Sequence, residues 1–188
     1  SLVSLAILAW IVLRSRQRRA ILLAVGAISV VLLLLLWQHQ GRGEPDRQPT
    51  TSAANFADEV SLLGYNLPTT PWKPGETIPI RLYWFARKSP AADYSVFLHL
   101  ALLDDSGKVA QSDSPPISGY SPMTQWEPGE IVVDQQHLQL DETVPPGRYR
   151  LLMGLYRPDA MQNLAVLQAT EVLPGDRVVL AEIEVSDE

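Results

Sequence analysis

Two hydrophobic patterns divide this 188-residue chain. Residues 1–13 and 20–37 are almost continuously apolar, whereas beyond residue 55 apolar side chains recur at every second position. Continuous apolarity suits helices immersed in lipid, and two-residue alternation suits strands with one buried face. The first pattern predicts an N-terminal transmembrane helical hairpin over 1–37, and the second an all-β domain over 55–188.

The second apolar segment carries no charge from Ala20 to Gly41. Its 18-residue core, Ala20 to Trp37, gives about 27 Å of helix at 1.5 Å per residue, enough for one crossing. Between the two segments stand Arg14, Arg16, Arg18 and Arg19, four of the fifteen basic residues, and no acidic residue precedes Glu44. Basic turns stay on the cytoplasmic side, so the chain after Trp37 is expected on the periplasmic or extracellular side of the cell membrane, with the Trp37 ring at headgroup level. The bilayer is thus the first predicted partner.

The first apolar segment spans only 13 residues, about 20 Å as helix, which is short of a typical hydrocarbon core. It reads as a truncated helix that begins inside the bilayer, with further sequence upstream. A signal peptide is the alternative, but no small-residue cleavage pattern follows Trp37.

Residues 38–54 are low in apolar content and rich in Gly, Pro, Gln and Thr, the composition of a linker. Alternation then takes over. Ile78, Ile80, Leu82, Trp84 and Ala86 share one face of a strand over Thr77 to Arg87. Tyr94, Val96, Leu98, Leu100 and Leu102 share one face of another, and Asp104 to Gly107 turns the chain back into Lys108 to Ser112. Further strands are expected at Val60 to Leu67, Ile131 to Leu140, Arg148 to Tyr156, Leu164 to Val172 and Arg177 to Val185. About eight strands and no helix predict an immunoglobulin-like sandwich of two antiparallel sheets.

Four Pro-Gly pairs, at 74–75, 128–129, 146–147 and 174–175, each suit a type II turn. Two of them lie in an echoed W-x-P-G-E, at Trp72 to Glu76 and Trp126 to Glu130; repeated use of one turn explains this better than duplication, since no longer similarity accompanies it. The proline-rich stretch Asp113 to Gln125 is expected to cross between sheets or cap one end.

From Glu44 onward 21 acidic residues face 10 basic ones, a formal charge of −11. Nucleic acid is excluded as a partner, because phosphate neutralisation needs a basic face. Cysteine is absent, so the domain depends on its core alone. No G-x-S-x-G, phosphate-binding glycine loop, H-E-x-x-H or cysteine nucleophile is present, so no catalytic residue and no cofactor are expected here.

The remaining chemistry is sparse. His39, His99 and His137 are scattered without zinc spacing, and His99 and His137 read as surface side chains. Asp104, Asp105 and Asp113, with Asp134 near them, read as a solvated turn rather than a calcium loop. Trp72, Tyr83, Trp84, Tyr120 and Trp126 could offer flat faces to sugar rings, but Trp84 alternates with the core positions. That leaves Trp72, Tyr120 and Trp126 as candidate contacts for a glycan or a partner protein.

The run Leu62 to Leu67, Pro74-Gly75-Glu76 leading to Leu82-Tyr83-Trp84, Asp93 to Leu100, Trp126 to Glu130, and Pro146 to Tyr149 through Gly154-Leu155-Tyr156 resembles a known domain. It is similar to the extracytoplasmic β-sandwich, with its preceding span, at the C-terminus of polytopic membrane proteins of Chloroflexota, the filamentous anoxygenic phototrophs. Those proteins are often described as glycosyltransferases of the protein-mannosyltransferase type. The resemblance implies transfer chemistry upstream of these residues, on a lipid-linked sugar. The expectation that follows is a non-catalytic, membrane-anchored accessory subunit packing against other integral membrane subunits, for instance in a respiratory or photosynthetic electron-transfer complex. The alternative is a glycan- or acceptor-binding appendage of a glycosyltransferase.

Overall fold

The computed structural model describes residues 49–68 and 71–187. The predicted hairpin 1–37, with Arg14, Arg16, Arg18, Arg19 and Trp37, lies outside the described residues, as do His39 and the linker up to residue 48. Among the described residues no helix is long and apolar enough to cross a membrane.

Among the described residues, eleven strands form two antiparallel sheets. Sheet A holds β1 (Thr50–Phe56), β2 (Val60–Asn66), β3 (Thr77–Ala86), β6 (Ile131–Gln139) and β9 (Val166–Gln168), in the order β6-β3-β2-β1-β9. Sheet B holds β4 (Ser95–Leu102), β5 (Lys108–Ser114), β7 (Gly147–Arg157), β8 (Gln162–Asn163), β10 (Val172–Leu173) and β11 (Arg177–Val185). Its order is β10-β11-β7-β4-β5, with β8 paired to β7. The strand β1 starts at Thr50, inside the stretch whose composition reads as linker. Ala54 is buried there because β1 pairs with β2 and β9, so tertiary pairing overrides a polar composition.

Alternation places the core correctly in β3, where Ile78, Ile80, Leu82, Trp84 and Ala86 are all fully buried. Each large side chain among them contributes about 1.5–3 kcal/mol relative to exposure. The facing layer is Val96, Leu98, Leu100, Leu151, Met153 and Leu155. Two expectations need correction. Leu102 is exposed, as the last residue of β4 before the turn, and Leu164 to Val172 is not one strand. That segment holds β9 and the start of β10, and β9 joins sheet A while β10 joins sheet B.

The turns are also more selective than their shared dipeptide. Gly75, Gly129 and Gly175 take positive φ, whereas Gly147 opens β7 and pairs with Val185, so Pro146-Gly147 is no type II turn. The W-x-P-G-E echo is one device used twice. The N–H of Glu76 donates to the carbonyl of Lys73 while its carboxylate accepts from the Lys73 N–H at 2.9 Å. Glu130 does the same to Glu127, also at 2.9 Å.

The stretch after β5 carries the chain from sheet B to sheet A, as its prolines suggest, through short 3-10 turns at Pro116–Gly119 and Met123–Gln125. Ile117 and Ser118 stand at φ 51° and 52°, costly for a β-branched side chain. Asp134 holds them there. Its fully buried carboxylate accepts from the Ile117 N–H at 2.8 Å, the Gln136 amide at 2.9 and 3.0 Å, and the Trp84 indole at 3.3 Å. Asp134 is therefore a core fastening and not part of a solvated turn with Asp104 and Asp105.

Candidate functional site

Where the ends of β2 and β11 meet, a groove of about 260 Å³ opens. Thr50, Tyr65, Leu67, Pro68, Pro71 and Trp72 line it from the sheet A side, and residues 181–184 of β11 from sheet B. Three bonds set this geometry. The Tyr65 hydroxyl donates to the Leu180 carbonyl, the Trp72 N–H donates to the Glu184 carbonyl at 2.9 Å, and the Trp72 carbonyl accepts from the Ser186 N–H at 2.8 Å. Trp72 thus bridges β11 in parallel although its chain neighbours lead into sheet A.

The Trp72 side chain is half-buried, and its indole N–H is buried with no acceptor among the described residues. An unsatisfied buried donor is costly, about 1–3 kcal/mol, and a polar group entering the groove is one way to relieve it. Burial pushes the Tyr65 phenol above its ordinary pKa, so it stays a neutral donor at physiological pH. On β11, Glu182 is joined to Arg148, while Glu184 is exposed and has no ion pair among the described residues.

The other candidates sit elsewhere. Trp126 is 1 % exposed and its indole donates to the Ser121 carbonyl at 3.3 Å, so its ring belongs to the core. Tyr120 is 90 % exposed on the crossover held by Asp134. Neither lines the groove, so of Trp72, Tyr120 and Trp126 only the first contributes to it. Tyr83 is half-buried on the outer side of β3.

His99 lies on β4, an interior strand of sheet B, half-buried rather than on the surface and tilted against Phe97 with ring centroids 4.9 Å apart. Burial, reinforced by Lys108, holds its pKa below the usual histidine value. His137 is exposed on β6. Asp104 closes its own turn onto Ser106, and Asp105 forms a forked pair with Arg177 at 2.6 and 2.8 Å, which lowers its pKa. Among the described residues no cluster of histidine and carboxylate side chains could hold a metal ion.

Sequence reasoning missed Tyr65, Glu182 and Glu184 as groove residues. Strand alternation shows which face a residue takes, but not which strand stands at an edge, and the groove is an edge feature.

No protein family and no curated protein matches the chain. Among solved structures, one described as the crystal structure of the C-terminal domain of wzt is similar, with a TM-score of 0.49 at 12% identity. That similarity covers 78% of this chain and 81% of that one.

Proposed function

We propose that this protein is a non-catalytic recognition module, anchored in the cell membrane by its N-terminal segments, whose outer β-sandwich binds a partner subunit in the Trp72 groove. The groove itself carries this reading. It is concave, joins both sheets, mixes apolar walls with polar groups, and contains a buried indole donor that no described residue satisfies. The acidic charge of the domain favours a neutral or cationic partner. In the protein's own membrane, Trp72→Ala is expected to release co-migrating subunits during mild-detergent purification, whereas Tyr120→Ala retains them. Equal retention by both variants abandons the groove as the binding site.

A second reading has its own support. An indole beside carboxylates suits sugar rings and hydroxyls, which makes a glycan- or acceptor-binding appendage the alternative at the same groove. Binding of neutral oligosaccharides by the purified chain, lost in Trp72→Ala, would favour it over a protein partner.

A further inference from the structure

Sheet B ends on a strand edge that is only partly covered. The two-residue β10 pairs with Arg177 and Val178 alone, and the Val179 N–H donates to the Glu171 carbonyl at 3.2 Å. The next neighbour along that edge is Trp72, bridged to Val185. Between them, among the described residues, no strand lies beside β11. An open edge offers backbone donors and acceptors to any incoming extended chain.

The register shows which groups are on offer. Ala181 to Val185 pair with β7 residue by residue with no irregularity, and the Glu184 carbonyl points away from β7, because Trp72 takes it. In an antiparallel ladder alternate residues turn both backbone groups to the same side, so Glu182 presents its N–H and carbonyl to the groove and Glu184 its N–H. The Leu180 carbonyl is already taken by Tyr65. A guest therefore meets three backbone groups that no described residue takes, along a slot closed at one end by Tyr65 on Leu180 and at the other by Trp72.

From this geometry we propose that the groove receives an extended polypeptide segment as an added strand on β11, with a cationic side chain of the guest opposite Glu184. The opposite wall suits such a guest. Leu67, Pro68 and Pro71 offer apolar contact, and the two prolines carry no N–H to compete for the guest's carbonyls. Strand addition takes affinity from main-chain bonds and specificity from alternate side chains. Glu184 supplies the charge selection, since Glu182 is already neutralised by Arg148. The open stretch, residues 181–184 of β11, is about 10 Å long, room for three or four residues, which limits the pairing of long strands. This inference rests on the partner-protein reading above.

The test uses the full 188-residue chain in detergent micelles. The probes are an alternating valine–lysine heptapeptide, the same peptide N-methylated at alternate amides in each of the two phases, its valine–glutamate counterpart, and a neutral tetrasaccharide. Binding is read by calorimetry and by amide exchange at Glu182 and Glu184. The lysine peptide is expected to bind and to slow exchange at both amides. One methylated phase and the glutamate peptide should each bind at least tenfold more weakly, and Glu184→Gln should remove most of the preference for lysine over glutamate. Equal binding of both methylated peptides overturns strand addition while leaving the groove as a binding site. Tetrasaccharide binding abolished by Trp72→Ala, with no peptide binding, overturns this inference and moves the function to the glycan reading. No binding by any probe, with Trp72→Ala retaining its membrane partners, overturns both the inference and the groove.

Discussion

The hydroxyl of Tyr65 donates to the backbone carbonyl of Leu180, tying β2 of sheet A to β11 of sheet B beside the groove. One phenol thus couples sandwich closure to the shape of the groove. Tyr65→Phe removes the donor and leaves a carbonyl without its partner, so stability should fall by about 1–2 kcal/mol. Urea unfolding should show a lower midpoint at unchanged slope, and partner affinity should weaken with it.

Stability should also depend on alkaline pH through Tyr94. Its hydroxyl donates to the Glu59 carboxylate at 2.8 Å, and burial, that bond and the Glu59 charge push its pKa up to about 12. The folded state favours the neutral phenol. The stabilisation is therefore complete below the unfolded tyrosine value of 10.0 and is lost as pH rises to about 12. Unfolding midpoints measured across that window should decline in the native chain, and Tyr94→Phe should flatten the decline.

Asp134 is expected to matter more than any exposed carboxylate. Asp134→Ala would strand the Ile117 N–H, the Trp84 indole and the Gln136 amide, at about 1–3 kcal/mol for each buried donor left unpaired. Asp134→Asn keeps one acceptor oxygen and should cost less. Thermal unfolding ranks the two, and faster amide exchange at Ile117 in the alanine variant would show that the crossover has been released.

Gly154 tests the outer face of sheet B. A Cβ there would run into the Phe97 ring and approach the Asp176 carbonyl at 2.9 Å, so Gly154→Ala should destabilise by about 1–3 kcal/mol. Pairing it with Phe97→Leu should recover part of that loss, because the ring is the movable obstacle. A measured change near zero would show that Phe97 does not lie across Gly154.

The sheets were legible where burial is one-sided, as in β3, whose alternation marks the core face. Asp134 stands in phase with Val132 and Leu138 on β6 and is buried with them, but its charge reads as solvated because two of its hydrogen-bond donors, Trp84 and Ile117, come from distant positions. The strand β1 was hidden because Thr50 to Ala53 are polar or small and gain their structure from β2. The segment after β7 misled because its three short strands belong to different sheets. Of the groove residues only Trp72 was foreseeable, as a large aromatic beside a turn. Tyr65, Glu182 and Glu184 line the groove where, among the described residues, no strand lies beside β11, and such a gap leaves no periodic mark.

The most direct measurement is amide exchange along β11 in the protein's own membranes, compared with the purified chain. Recognition through the groove predicts that Glu182 and Glu184 exchange slowly in the membrane and rapidly after purification, with Trp72→Ala abolishing the difference. Equally rapid exchange in both settings would contradict the groove as the place where this domain meets its partner.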